Sequence, residues 1–335
     1  MSVSHHQYKV SVIIPIFGVE KFIRKCAENL MEQTLQEVEY IFVNDATPDG
    51  SINVLKMVIE HYPHRLPHVK IIEHERNKGL PAARNTGLSN ATGEYVLHCD
   101  SDDYLEKDAL ERLYNTAIEH CADIAWGDFV EVYYEKKRYR PQQSFDTPHD
   151  AIRAMLKGGG FNVWNKLVRR SLYVENGISF PEGYTMGEDL TMIMLYACST
   201  KIVHIPYIVY NYLRLNPTAA TKGLTREKQE ALNHNVYRLE QFLKDKFGNE
   251  FEYEINCLKL NSKWLFLVAD SDVKKYHMWN EWFPEANGAI WRKEVSFRMN
   301  LLEWAAKEKQ YWIIWLHYWI VIRLFYKLMN RIHYV

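Results

Sequence analysis

The stretch Gly93-Glu94-Tyr95-Val96-Leu97-His98-Cys99-Asp100-Ser101-Asp102-Asp103 carries an apolar strand pattern straight into three carboxylates within four residues. Carboxylates this crowded repel one another unless a cation or an array of donors offsets them, and hard oxygen ligands suit Mg2+ or Mn2+ better than zinc or copper. The stretch therefore reads as a strand running into a cation site, with phosphates as the cation's natural guests. Asp103 also fits the first turn of a helix beginning near Glu106, where a carboxylate caps free N–H groups.

Outward from this strand the first 130 residues alternate. Val10–Ile16 is a β-rich run, 20–33 a helical pattern, 38–43 a strand and 51–61 a helix. Val69–Glu73 reads as a strand, 81–90 as a helix opened by Pro81, 95–99 as a strand and 106–120 as a helix. Four such units imply an α/β fold with a mostly parallel sheet flanked by helices, and ligands bind outside the carboxyl ends of its strands. Phe17 follows the first strand, Asn44-Asp45 the second and Asp100-Ser101-Asp102 the fourth, so all three lie on one edge. Alone, Asp45 would read as a turn residue of Asp45-Ala46-Thr47-Pro48-Asp49-Gly50; its company favours a site. No GxxxxGK[ST] loop occurs and no GxGxxG follows the first strand, which removes the common nucleotide hydrolase and dinucleotide readings.

Composition narrows the class. At 335 residues, 47% hydrophobic and 25% charged, the chain can build one large α/β unit plus an appendage, and the composition argues against disorder and against a polytopic membrane protein. A net charge of −1 and the lack of a zinc-finger or helix-turn-helix signature argue against nucleic acid as a partner. Cys26, Cys99, Cys121, Cys198 and Cys257 are scattered without CxxC spacing, so reduced cytosol fits best. No basic, then apolar export segment precedes the strand at Val10, and a cytoplasmic location is expected. His5-His6 and the looser His61, His64, His68 group show no metal-ligand spacing and read as solvated or packing side chains.

From residue 223 helical periods replace the alternation, with Leu232, Val236, Leu239, Leu243 and Phe247 forming a core-type stripe. Residues 311–331 are dense in aromatic and branched side chains, with Arg323, Lys327 and Arg331 on one face. From Arg292 onward eight Lys or Arg stand against three Asp or Glu, so this end carries +5 and the remainder −6. The twelve apolar-leaning residues before Arg323 would rise only about 18 Å as a helix, short of a roughly 30 Å hydrocarbon core. A basic, tryptophan-bearing helix suits the headgroup plane of an anionic membrane. Packing on the rest of the chain, or on a second copy in a homo-oligomer, is the equal alternative.

Five ordered motifs now acquire a common meaning. Val10-Ser11-Val12-Ile13-Ile14-Pro15-Ile16-Phe17, Phe42-Val43-Asn44-Asp45, Asn77-Lys78-Gly79-Leu80-Pro81-Ala82-Ala83-Arg84-Asn85, Asp100-Ser101-Asp102-Asp103 and Gly187-Glu188-Asp189 together resemble a family 2 glycosyltransferase of the GT-A fold, of the bacterial polysaccharide type. The resemblance covers roughly residues 8–215, and it implies a catalytic domain over 1–222 followed by a helical region over 223–335. Phe17 stands where the family often has Tyr, and Gly18 where it often has Asn.

The resemblance implies a nucleotide-sugar site made by Pro15, Phe17, Asp45, Asn77, Lys78, Arg84, Asp100 and Arg214, with Asp45 accepting a base N–H. It implies that Asp102, with Asp100 completing the DxD motif, holds Mn2+ or Mg2+ bridging the donor diphosphate. Asp189 would be the base that takes the acceptor hydroxyl's proton, with Glu188 orienting it or touching the acceptor. Trp164 and Lys166, in Trp164-Asn165-Lys166-Leu167, would serve the acceptor. Plainer readings stand beside these. Arg84 also suits a surface ion pair, Trp164 a core position, Asp189 a first-turn helix carboxylate and Arg214, even with Thr218 or Thr221, an exposed loop cation.

The expected reaction is inverting, metal-dependent transfer of a sugar from a nucleoside diphosphate donor, UDP by resemblance, to a saccharide or lipid-linked saccharide hydroxyl in surface polysaccharide assembly. Such an enzyme would work in the cytoplasm or peripherally on the inner face of the cell membrane. Three alternatives predict different products: a nucleotidyltransferase would release pyrophosphate, a non-catalytic sugar-nucleotide-binding module would release nothing, and a retaining transferase would keep the anomeric configuration.

Overall fold

The computed structural model describes residues 7–159, 162–185, 187–214, 226–269, 271–292 and 294–325. The chain divides into two compact units, Met1–Ile152 with Gly160–Asn235, and Arg153–Gly159 with Val236–Val335.

The first unit carries, in chain order, β1 (Val10–Ile16), α1 (Ile23–Met31), β2 (Val38–Asn44), α2 (Ser51–Glu60), β3 (Val69–Glu73), α3 (Leu80–Ser89), β4 (Tyr95–His98), β5 (Tyr104–Leu105) and α4 (Ala109–Glu119). It continues with β6 (Ile124–Val132), β7 (Lys137–Arg140), α5 (Pro148–Leu156, divided between the units), β8 (Lys166–Arg169), α6 (Arg170–Glu175), α7 (Glu188–Cys198) and β9 (Ile202–Leu213). Among the described residues these strands make one sheet of order β3-β2-β1-β4-β8-β6-β9-β5, with β7 beside β6. The pairs β1–β2, β1–β4, β2–β3 and β6–β9 are parallel, whereas β8 runs against both β4 and β6.

Every residue of β1 is buried, as expected of a central strand covered on both faces. Its apolar side chains, with those of α1, α2 and α4, form the core that fixes the sheet edge carrying the site. Register does the rest. Ile16 pairs with Asn44 and the Asp45 N–H donates to Ile16 O at 3.0 Å, while the Cys99 N–H donates to Ile13 O at 3.0 Å. Phe17, Asp45 and Asp100 consequently leave the sheet at the carboxyl ends of three adjacent parallel strands.

Two sequence expectations need correction. The helix placed from Glu106 begins at Ala109, because residues 104–105 form β5 against β9 and the Glu106 N–H is used on Val209 O at 3.0 Å. Asp103 accordingly caps no helix. It is 1% exposed, and its carboxylate accepts the Leu213 N–H at 2.7 Å and the Tyr210 hydroxyl at 3.0 Å.

The helix α8 (Arg226–Phe247) starts in the first unit and ends in the second, which continues with α9 (Glu252–Lys263), α10 (Leu265–Val268), α11 (Val273–Glu281), α12 (Phe297–Lys307) and α13 (Tyr311–His317). Val236, Leu239 and Leu243 of the expected stripe are buried. Two lysines are buried with them. Lys259 Nζ lies 2.7 Å from Glu240 Oε2 and 2.6 Å from Glu285 Oε1, and Lys263 Nζ donates to Trp282 O and Asn287 Oδ1 at 2.7 and 2.8 Å. Buried ammonium groups are tolerated because each is so paired. Arg153 reaches Glu250 and Glu254 at 3.0 and 2.8 Å, which ties residues 153–159 to this helical unit.

Candidate active site

At the end of β2 the Asp45 carboxylate is 3% exposed and already well occupied. Oδ1 accepts the Lys78 N–H at 2.8 Å and lies 2.7 Å from His74 Nδ1, and Oδ2 accepts the Gly79 N–H at 2.8 Å. His74 Nε2 in turn lies 2.8 Å from Thr86 Oγ1, so the ring is held between Asp45 and Thr86. Gly79 sits at φ +89°, a conformation open to glycine, and this aims its N–H at the carboxylate. Asp45 thus clamps the Asn77-Lys78-Gly79 turn in front of α3, leaving the Asn77 and Lys78 side chains exposed. Phe17 is 48% exposed at the same edge, whereas Pro15 is buried inside β1.

Arg84 lies on α3 and is 2% exposed, so it makes no surface ion pair. Its Nη2 donates to Asp100 Oδ1 at 2.7 Å and its Nε to Glu188 Oε1 at 3.3 Å, while Nη1 is buried and finds no hydrogen-bond partner among the described residues. One guanidinium therefore joins the turn after β4 to the start of α7. Burial alone would lower its pKa, but the Asp100 and Glu188 carboxylates more than reverse this, and it stays charged.

Glu188 and Asp189 open α7. Burial raises the Glu188 pKa, opposed by Arg84 and reinforced by Asp189 and Asp100. Asp189 is exposed, yet the protein crowded around its carboxyl disfavours the charged form and raises its pKa above the ordinary range; Lys166 and Arg84 oppose the shift and Asp100 adds to it. Lys166 is 2% exposed, and burial lowers its ammonium to about 7 against the pull of Asp189. Its Nζ donates to Asn162 O and Asn165 Oδ1 at 2.5 and 2.9 Å. Five side chains, Arg84, Asp100, Lys166, Glu188 and Asp189, therefore share one electrostatic environment.

The constellation is held in place by groups to which sequence pattern alone assigns no such role. The Tyr210 hydroxyl accepts the Asp100 N–H at 3.1 Å and donates to Asp103, which pins the turn after β4 to β9. Burial, with Asp102 and Asp100 nearby, raises the Asp103 carboxyl well above its ordinary value. Asn85 holds the backbone of Phe180 from both sides, at 2.8 and 2.9 Å. Asn235 donates to Thr185 O at 2.9 Å, and Tyr184 stacks on His234 with ring centroids 3.7 Å apart. These last contacts fix the segment leading to Glu188.

Trp164 takes the core position: it is 8% exposed and stacks on Tyr210 and Tyr212, with centroids 4.2 and 5.5 Å away. Arg214 follows β9 directly, and its Nη1 donates to the Tyr212 hydroxyl at 3.3 Å while its Nε lies 3.7 Å from Glu131 Oε1. Thr218, Thr221 and Met186 lie outside the described residues.

Among the described residues no three His, Cys, Asp or Glu side chains gather tightly enough to enclose a metal by themselves. The donors at the edge still fit one kind of ion. Asp103 is consumed by Tyr210 and Leu213, but Asp100 and Asp102 are partly exposed hard oxygen donors. An Mg2+-like ion is typically held by one or two carboxylates and takes its other ligands from water and substrate phosphates.

Residues 11–177 match the family described as glycosyl transferase family 2. The glycosyltransferase GlyA of Streptococcus pneumoniae serotype 4 is 31% identical over 67% of this chain and 33% of its own length. The uncharacterized glycosyltransferase EpsJ of Bacillus subtilis is 33% identical over 54% of this chain and 53% of its own length. The chain thus spans a third of the first relative and about half of the second. The crystal structure of S. aureus TarS 1-349 in complex with UDP-GlcNAc superposes with a TM-score of 0.70, covering 92% of this chain and 91% of that one at 22% identity, a likeness of fold.

Proposed function

The chain belongs to glycosyl transferase family 2, and from that premise we propose that it moves a sugar from a UDP-linked donor to a saccharide hydroxyl with inversion, in surface polysaccharide assembly. The observation that carries the reading is the Arg84 bridge, because one guanidinium holds both the donor-side carboxylate Asp100 and, 104 residues further along the chain from Arg84, Glu188 of the Glu188-Asp189 pair.

Phe17 offers an exposed ring for a base to stack on, and Asp45 Oδ2, which takes the Gly79 N–H, keeps acceptor capacity for a base N–H. Asn77, Lys78 and Arg214 supply donors and positive charge around the nucleotide. Asp102 and Asp100 would hold Mn2+ or Mg2+, which when bound supplies positive charge against the departing nucleoside diphosphate.

Asp189 takes the acceptor hydroxyl's proton at its carboxylate. Its raised pKa makes it a stronger base, while the charges of Lys166 and Arg84 limit the rise. Glu188, held by Arg84, orients this pair, and Lys166 sets the charge beside the acceptor. The acceptor is a lipid-linked saccharide met at the inner face of the cell membrane.

Incubation with UDP-sugars and a saccharide acceptor tests the reading by its products. Release of UDP with an inverted glycosidic linkage, abolished in Asp189→Asn, is expected. Pyrophosphate release, or a retained anomeric configuration, would refute it.

A further inference from the structure

The helix α13 and the π-helical turns that follow it, Tyr318–Phe325, are apolar on the wrong side. Ile314 and Tyr318 point inward, at 0% and 6% exposure. The opposite face carries Trp312, Trp315, Leu316, Trp319 and Ile320, between 43% and 63% exposed. Their spacing of three, one, three and one residues is a single helical stripe. A contiguous exposed patch of this size and composition on a helix marks an interaction surface.

The charge around the stripe selects the partner. Arg323 continues it one turn further and is exposed, with its guanidinium over the Tyr318 and Trp319 rings at 5.8 and 5.9 Å. Residues 309–335 contain Lys309, Arg323, Lys327 and Arg331 and not one Asp or Glu. Tryptophan, with an apolar body and one N–H edge, is the side chain that settles at the boundary between headgroups and acyl chains. No described helix is long and apolar enough to cross a membrane, so the one-sided stripe would lie along the surface.

We propose that residues 311–323 lie in the headgroup plane of a membrane containing anionic lipid, with Trp312, Trp315, Leu316, Trp319 and Ile320 in the acyl boundary and Arg323 against lipid phosphate. The inference names the surface by which the enzyme of the preceding section meets a lipid-linked acceptor. Attachment itself is measured without catalysis, so vesicle binding by a chain that transfers no sugar would leave this surface standing and refute only the reaction.

The test is co-sedimentation of the full chain with vesicles of phosphatidylcholine alone or with a quarter phosphatidylglycerol, across a salt series. Pelleting is expected only with the anionic vesicles, weakening as salt rises. The double variant Trp315→Glu, Trp319→Glu should lower the partition coefficient about tenfold or more. Arg323→Gln should lower it about fivefold, the worth of one cation near an anionic surface. Circular dichroism and turnover of a water-soluble acceptor should remain at wild-type level in both variants. A wild-type chain that stays in the supernatant, or pelleting indifferent to the tryptophan substitutions, would overturn the proposal. So would self-association in sedimentation velocity that the double variant abolishes, because the stripe would then belong to a second copy.

Discussion

Arg84 Nη2 donates to Asp100 Oδ1 at 2.7 Å, tying helix α3 to the turn that follows β4. The same guanidinium reaches Glu188, so removing it leaves two carboxylates facing each other in a site that water only partly reaches. Arg84→Met should cost about 3 kcal/mol in urea unfolding, the lower end for breaking a buried pair because Asp100 keeps water on one side. Arg84→Lys keeps the charge but loses the fork that spans both partners, and should retain stability better than activity. Stability unchanged in Arg84→Met would mean that the bridge holds nothing together.

The acid limb of the pH–rate profile reports Asp189, which must be ionised to accept a proton. Desolvation by the surrounding protein raises its carboxyl, Lys166 pulls it down and Asp100 pushes it up. Lys166→Met should therefore move the limb to higher pH, and Asp100→Asn should move it to lower pH, whatever each does to the maximal rate. Profiles of kcat/KM for both variants decide the matter, and limbs shifted in the same direction would show that another group controls the rate.

Gly187 leaves no room for a side chain. A Cβ there would meet Pro181 Cγ at 2.4 Å and Asn235 Nδ2 at 2.5 Å, just before the Glu188-Asp189 pair. Gly187→Ala should displace the start of α7 and lower kcat roughly a hundredfold, as expected for a small misplacement of a base. Donor affinity, measured by calorimetry with UDP, should stay within about twofold, since its residues lie on other elements. Loss of UDP binding with kcat intact would reverse these roles.

The parts of this architecture visible in the sequence are those governed by local pattern. Val10–Ile16 and Val69–Glu73 announce themselves as apolar runs with strand chemistry, and parallel pairing then places Phe17, Asp45 and Asp100 on one edge. Contacts between distant segments leave no such trace. Tyr210 reaches Asp103 across 107 residues, and once that bond forms, Asp103 is spent on holding the turn rather than on capping a helix. His74 likewise becomes meaningful only when β2 and β3 bring it to Asp45. Trp164 is ambiguous by composition, since a tryptophan between apolar neighbours suits both a sugar platform and a core; the rings of Tyr210 and Tyr212 against it decide for the core.

On this reading the acidic edge grips a nucleoside diphosphate through a divalent ion. Titration of UDP into the protein by calorimetry, with Mn2+ and with chelator, addresses it directly in wild type and Asp102→Ala. Wild-type affinity should rise at least tenfold with Mn2+ and this increment should vanish in the variant, while the metal-free affinities stay alike. Equal wild-type affinity with and without the metal, or an increment that survives in Asp102→Ala, would contradict it.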